Sequence, residues 1–376
     1  MYLVGNISIT LSVNFVASQF FIACINIFER EPGVGILEGT AYQVYLIFLG
    51  ITLLTNAVSA LGNKWLPWID TAAIFWTLIG MVCLAVTILA IAKNGRHDAE
   101  YVFTHFKASS GWSDGWSFCV GLLHAGYATS STGMIISSVP STAEDLALTL
   151  VYNVRRGAEP LDSSSTRDGG DNLYQYFCRP SISNPPVGSS GGAFALLVPL
   201  LVLLVICGID CTTATSRCVF AFARDGAIPQ SRWWVKVNHR LDNIPLNAMM
   251  LSMVVGLALG LIFFGNTTAF NAFSGVGVIC LTVAYASPIA INLFTGRKQV
   301  QKGRFYLGAL GTISNVIAIG WTLLVIPLFC MPASIPVTAS TVNYAPVVFV
   351  FAVVVSGICY WAWGYENYVG PPTQDG

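Results

Sequence analysis

Nine apolar runs of about 20 residues recur along this 376-residue chain, at about 3 to 28, 42 to 61, 69 to 92, 116 to 138, 193 to 213, 246 to 265, 270 to 294, 306 to 330 and 345 to 363. A helix rising 1.5 Å per residue needs about that length to cross a hydrocarbon core of about 30 Å. A barrel strand would instead alternate apolar and polar residues over about 10 positions, so barrel strands are excluded. The composition agrees: 55% of residues are hydrophobic and only 10% are charged, where a soluble domain carries about a quarter charged residues. The expected fold is therefore an all-α, multi-pass membrane protein, a bundle of about nine spans in a lipid bilayer.

Residues Thr212 to Pro229, TTATSRCVFAFARDGAIP, lead from the fifth run into a basic loop. The helix is expected to continue past the apolar block, with Arg224 in its last turn, Gly226 as a left-handed cap and Pro229 as a stop. Arg217, Arg224, Arg232, Lys236 and Arg240 face only Asp225 and Asp242 between this run and the next, which marks the cytoplasmic side. Arg297, Lys298, Lys302 and Arg304 mark a second cytoplasmic loop, while the uncharged loops 266 to 269 and 331 to 344 belong outside.

Several functional classes find no support. With a net charge of zero there is no nucleic-acid footprint, and the basic residues are accounted for as topology signals. The ten cysteines show no paired metal-type spacing, so neither a metal site nor a disulfide framework is expected. Cys207 and Cys211 share a helical face and read as small apolar packing residues. The four histidines are scattered, and only His124 lies in a span, as a satisfied bundle residue or a proton relay. No nucleophile motif, Walker loop or dinucleotide fingerprint is present, so neither an enzyme nor a cofactor is expected.

In a helical membrane protein, function is marked by helix irregularity and by polar groups at bilayer depth. The fourth run places Thr129, Ser130, Ser131, Thr132 and Gly133, all weak helix formers, near mid-membrane. Either the helix unwinds there and exposes backbone groups to a polar solute, or it stays intact with its hydroxyls bonded to the preceding turn. The seventh run adds Asn271, Ser274, Gly275, Gly277, Tyr285, Ser287 and Pro288, most of which suit close helix packing. Asp210 is the one acid well inside an apolar run, with Asp70 at the edge of another. Asp210 is an ion or gating candidate by default, the bland reading being a water-accessible or Arg-paired carboxylate near the cytoplasmic end.

The segments TTATSRCVFAFARDGAIPQSRWW, GSSGGAFALLVPLLVLLVICGI and GLLHAGYATSSTGMIIS resemble the fungal choline and 4-aminobutyrate permeases of the amino acid/polyamine/organocation superfamily. The likeness covers about 1 to 138 and 188 to 370, and its most specific part is the Ser-Arg to Ala-Arg-Asp-Gly stretch. It implies twelve spans built on two inverted five-helix repeats, secondary active transport, and a solute site where the first and sixth helices unwind. On that pattern Tyr127, Ala128, Thr129, Ser130, Ser131, Thr132 and Gly133 form the sixth helix's break. Ser274 and Tyr285 join them as substrate-binding candidates, Tyr127 and Tyr285 offering aromatic faces to a quaternary ammonium. The implied substrates are choline, 4-aminobutyrate or another amino acid, with H+ as the coupling ion and the plasma membrane as the location.

The chain also departs from that pattern. Its first apolar run follows Met1 directly and resembles the family's third helix, so the first two helices are expected to be absent. Residues 1 to 138 then read as family helices 3 to 6 and 188 to 376 as helices 8 to 12 with a short tail. Between them, 139 to 187 hold ten of the chain's 36 charged residues and abundant Ser, Gly, Asn and Pro, too little apolar surface to order a fold. This segment is expected to be an aberrant insert in place of helix 7, from retained intron or shifted frame, or else a regulatory insertion. Losing one helix leaves a parity mismatch: either the insert crosses the membrane or the first four spans are inverted. Packing like that of the family is the expected outcome. A second class of function follows from the missing helices, a non-transporting membrane protein that is a defective fragment or a regulatory partner of a full-length permease.

Overall fold

The computed structural model describes residues 1–28, 36–62, 64–91, 111–122, 190–238, 244–265, 267–296, 308–332, 335–337 and 342–368. Each apolar run in this set is a helix, as lipid requires of a backbone that must satisfy its own hydrogen bonds. The elements are α1 (Tyr2–Asn26), α2 (Ala41–Leu61), α3 (Leu66–Ile91), α4 (Asp114–Gly121), α5 (Ser190–Arg224), α6 (Ser231–Trp234), α7 (Leu246–Gly260), α8 (Ile262–Gly265), α9 (Thr267–Phe294), α10 (Gly308–Cys330), α11 (Ala345–Cys359) and α12 (Tyr365–Asn367). A π-helical turn, Tyr360–Gly364, joins the last two. Eight of the nine expected spans are present among the described residues. The fourth is described only from Asp114 to Leu122, so Tyr127 to Gly133 and the segment 139 to 187 lie outside the described residues.

Helix ends follow local chemistry. Gln43 Oε1 accepts the Thr40 N–H at 3.3 Å to open α2. At 35 residues α5 is the longest helix, roughly 52 Å at 1.5 Å per residue, and outruns the hydrocarbon core. It ends as the sequence predicts: Arg224 is in the last turn, Gly226 sits at φ 77°, and the Ala227 N–H reaches back to the Phe222 carbonyl at 2.9 Å.

The centre of the bundle is α1, which packs on α2, α5, α7 and α9. Two thirds of its spanning window is buried, against 11% for the last span. Its direction is fixed by contacts: Asn14 lies against Gly208, Thr10 bonds Thr215, and Asn6 reaches Cys218. Sequence number rises along α1 as it falls along α5, so the two run antiparallel. The basic loop expected to be cytoplasmic follows α5, so α1 starts at the same end of the bundle as that loop; inverted first spans would have made the pair parallel. On the opposite flank, α1 runs antiparallel to α9 through Tyr2 with Tyr285 and Ile9 with Gly277.

Aromatic and aliphatic clusters close the outer half of the bundle. Phe15 stacks with Phe270 and Phe263 at centroid distances of 4.2 and 4.6 Å. Ala17, Phe20, Cys24 and Ile27 of α1 meet Leu197, Leu200 and Leu204 of α5. Few side chains of α3, α10 and α11 are buried, as a lipid-facing surface requires, since apolar tails are their solvent.

Candidate functional site

Beside its apolar clusters, the interior of this bundle carries a polar seam. Asn6, Ser8, Ser12, Asn14 and Ser18 of α1 are buried, as are Thr52, Thr55, Asn56 and Ser59 of α2 and Thr212, Thr213, Thr215 and Ser216 of α5. Asn6, Thr10 and Asn14 recur every four residues, one per turn, and so form a single stripe along α1. The stripe meets α5 through paired hydroxyls: Thr10 Oγ1 lies 2.8 Å from Thr215 Oγ1 and donates to backbone carbonyls at 2.9 and 3.2 Å. Across from it Ser59 and Thr213 share a hydroxyl bond of 2.7 Å between α2 and α5. Helices are held this way in lipid, where small residues let backbones approach and hydroxyls bond across.

A small cavity opens inside the seam, where α1, α2, α5 and α7 meet, lined by Thr10, Asn14, Thr52, Asn56 and Thr212 among others. Its volume of about 20 Å³ suits one water-sized occupant. Asn56 Nδ2 donates to the Thr52 carbonyl at 2.7 Å, which fixes its amide. The oxygens Asn14 Oδ1, Thr52 Oγ1 and Asn56 Oδ1 have no donor among the described residues. The cavity therefore suits a hydrogen-bond donor such as water.

The predicted site residues divide between two places. Ser274 and Tyr285 fall on the face of α9 that carries Gly277 and Leu281 toward α1. Tyr285 stands edge-to-face with Tyr2 at 5.7 Å, over Ile9, Cys207, Cys211 and Leu281. Sequence reasoning missed Tyr2, an aromatic partner visible only once α1 and α9 are paired.

Asp210 is elsewhere, on the face of α5 that receives α3. The bland alternative of a water-accessible or Arg-paired carboxylate does not hold among the described residues. Asp210 is 1% exposed, and neither of its carboxylate oxygens has a donor among the described residues. It faces Asp70, which lies in the second turn of α3 within hydrogen-bonding reach. Arg217, two turns further along α5, is exposed and forms no ion pair with either acid among the described residues. Asp70 was read as a residue at a span's edge. It belongs to the stripe Leu66, Asp70, Ala73 and Thr77, whose spacing of 3 and 4 residues turns it inward, with Leu66, Ala73 and Thr77 buried. Trp76 Nε1 closes the same interface by donating to the Pro199 carbonyl at 3.3 Å.

Comparison with known proteins places this architecture. The sequence model described as amino acid permease matches residues 187–353. Across the whole chain, Amino-acid permease BAT1 of Arabidopsis thaliana is 27% identical over 396 aligned residues, covering 99% of this chain and 76% of the relative. The BAT1 homolog of Oryza sativa subsp. japonica is 30% identical over 371 residues, covering 92% of this chain and 70% of the relative. A choline transporter of Saccharomyces cerevisiae is 28% identical over 317 residues, covering 80% of this chain and 55% of the relative.

Proposed function

Because this chain belongs to the amino acid permease family, we propose that it is a secondary active transporter of small amines, amino acids or choline across the plasma membrane. The observation that carries this reading is the buried seam of amides and hydroxyls along α1, α2 and α5, since polar groups at bilayer depth mark solute and ion pathways. In this reading α1 to α3 correspond to the family's third to fifth helices, and α5, α7, α9, α10 and α11 to its eighth to twelfth.

In this reading substrate is held by Tyr127 to Gly133, with Ser274 and Tyr285 of α9 contributing to the same site. An unwound segment offers backbone carbonyls to an ammonium group and backbone amides to a carboxylate. The ring of Tyr285, braced edge-on by Tyr2, supplies a face for a quaternary or primary ammonium. Alternating access then moves one bundle against the other about this point. Coupling is to a proton gradient, with Asp210 as the ion site.

The test is uptake of labelled choline, 4-aminobutyrate, a neutral amino acid and a polyamine by cells expressing the chain alone. Saturable accumulation of at least one, abolished by a protonophore, is expected. Uptake no greater than that of empty-vector cells for all four would overturn the reading.

A further inference from the structure

Two carboxyl groups meet inside a membrane span between α3 and α5. Asp210 is enclosed by protein, and both of its oxygens lack a donor among the described residues. Asp70 also has one buried oxygen without a donor, yet the residue as a whole is half-buried rather than enclosed. An ionised carboxylate only accepts hydrogen bonds, so two of them in contact satisfy nothing and repel. A single proton on either one turns the contact into a short charge-assisted O–H···O bond.

Among the described residues the surroundings offer no other partner. Among the described residues no cation forms an ion pair with either acid, and Arg217, two turns further along α5, is exposed. Toward this region α2 presents Thr55, Asn56 and Ser59, which are uncharged, and Lys64 in the α2–α3 turn is exposed. Cys207 and Cys211 on α5 turn to the other side, toward Ile9 and Leu281. The remaining face of α3 carries Trp68, Phe75 and Ile79, all exposed as lipid-facing residues are.

We propose that Asp70 and Asp210 form one proton-binding site that latches α3 to α5, with Asp70 as the member that exchanges protons with the cytoplasmic water. One proton is taken from hydronium, releasing water, and no other bond changes. With the proton in place the helices are bonded through the pair. Without it, two facing anions drive α3 away from α5 near its cytoplasmic start, which opens the bundle on that side. This rests on the transport reading for its role in coupling, but the proton site itself does not depend on transport.

The experiment is infrared difference spectroscopy on the purified chain in liposomes as pH is varied, for the wild type, Asp70→Asn and Asp210→Asn. The wild type should show a protonated-carboxyl C=O band, shifted in heavy water and lost as pH rises; Asp210→Asn should lack it, and in Asp70→Asn the band should move in frequency because its carboxylate partner is gone. Uptake, at whatever rate the variants retain, should lose its wild-type dependence on pH. Absence of the band from the wild type, its persistence in Asp210→Asn, or an unchanged band in Asp70→Asn would overturn the proposal. A wild type that shows the band but takes up no substrate would leave the proton site standing and remove the transport reading instead.

Discussion

The closest approach of α1 and α9 rests on Gly277, and substituting it by alanine tests whether that approach holds the bundle together. A Cβ built there would lie 2.8 Å from Ile9 Cγ1, 3.3 Å from the Ile9 nitrogen and 3.4 Å from Ser8 Cβ. Carbon atoms settle at about 3.5–4.0 Å, so the new methyl falls about 0.7 Å short of a comfortable distance from Ile9. Ile9 is 2% exposed and packed by Leu281, and the backbone nitrogen behind it moves only if α1 moves. Relief therefore means either an off-rotamer Ile9 or separated helices, a type of overpacking that costs about 1–3 kcal/mol. Against this, alanine is favoured over glycine in a helix by about 0.5–1 kcal/mol. A net loss of about 0–2.5 kcal/mol, centred on about 1 kcal/mol, follows. Gly320 in α10 provides the control, because a Cβ there meets nothing within 4 Å and only the helical gain remains. Melting temperatures of the purified proteins in one detergent should rank Gly320→Ala at or above wild type and Gly277→Ala below it. Pairing Gly277→Ala with Ile9→Ala should cost less than the sum of the two, since the clash then has no partner. A Gly277→Ala protein as stable as Gly320→Ala would refute the close-packing argument.

Asn343 spans two helix ends, donating to the Phe329 and Met331 carbonyls at 2.7 and 2.9 Å and accepting the Ala345 N–H at 2.9 Å. Asn343→Ala should lower stability by about 1–2 kcal/mol, read as a drop in melting temperature, because orphaned groups at both helix ends lose their cap. Gly226→Ala should destabilise by about 1 kcal/mol, since the residue sits at φ 77° and a Cβ would collide with the Asn367 carbonyl oxygen; limited proteolysis after α5 would report the loosened turn. Ser59→Ala should cost about 0.6 kcal/mol, the average for an interhelical hydroxyl bond in a membrane protein, so a fall above about 2 kcal/mol in denaturant titration would contradict the pairing with Thr213. Tyr285→Leu should raise the KM for a quaternary ammonium substrate about tenfold while leaving its expression level unchanged, as loss of one cation–π face predicts.

Much of this protein was legible before any coordinates. Helix placement followed from run length, because lipid leaves a 20-residue apolar segment no alternative. The end of α5 was written in Arg224 and Gly226, since a left-handed cap needs glycine wherever it occurs. The polar stripes were also readable in principle: Asn6, Thr10 and Asn14 stand one turn apart, and Thr212, Thr213, Thr215 and Ser216 crowd one stretch of α5. They were passed over because hydroxyls in spans bond back to their own helix so often that their presence alone says little.

By itself, then, the sequence determined which segments are helices, which loop is basic and where the longest helix stops, all of which depend on neighbours in the chain and on the bilayer. Only the tertiary structure decided that α1 is the central helix, that it runs antiparallel to both α5 and α9, and that Asp70 and Asp210 face each other. Those facts pair residues such as Tyr2 with Tyr285 and Asp70 with Asp210, well over a hundred positions apart. Helical periodicity fixes which face a side chain takes, and which other helix meets that face is settled only when the helices pack.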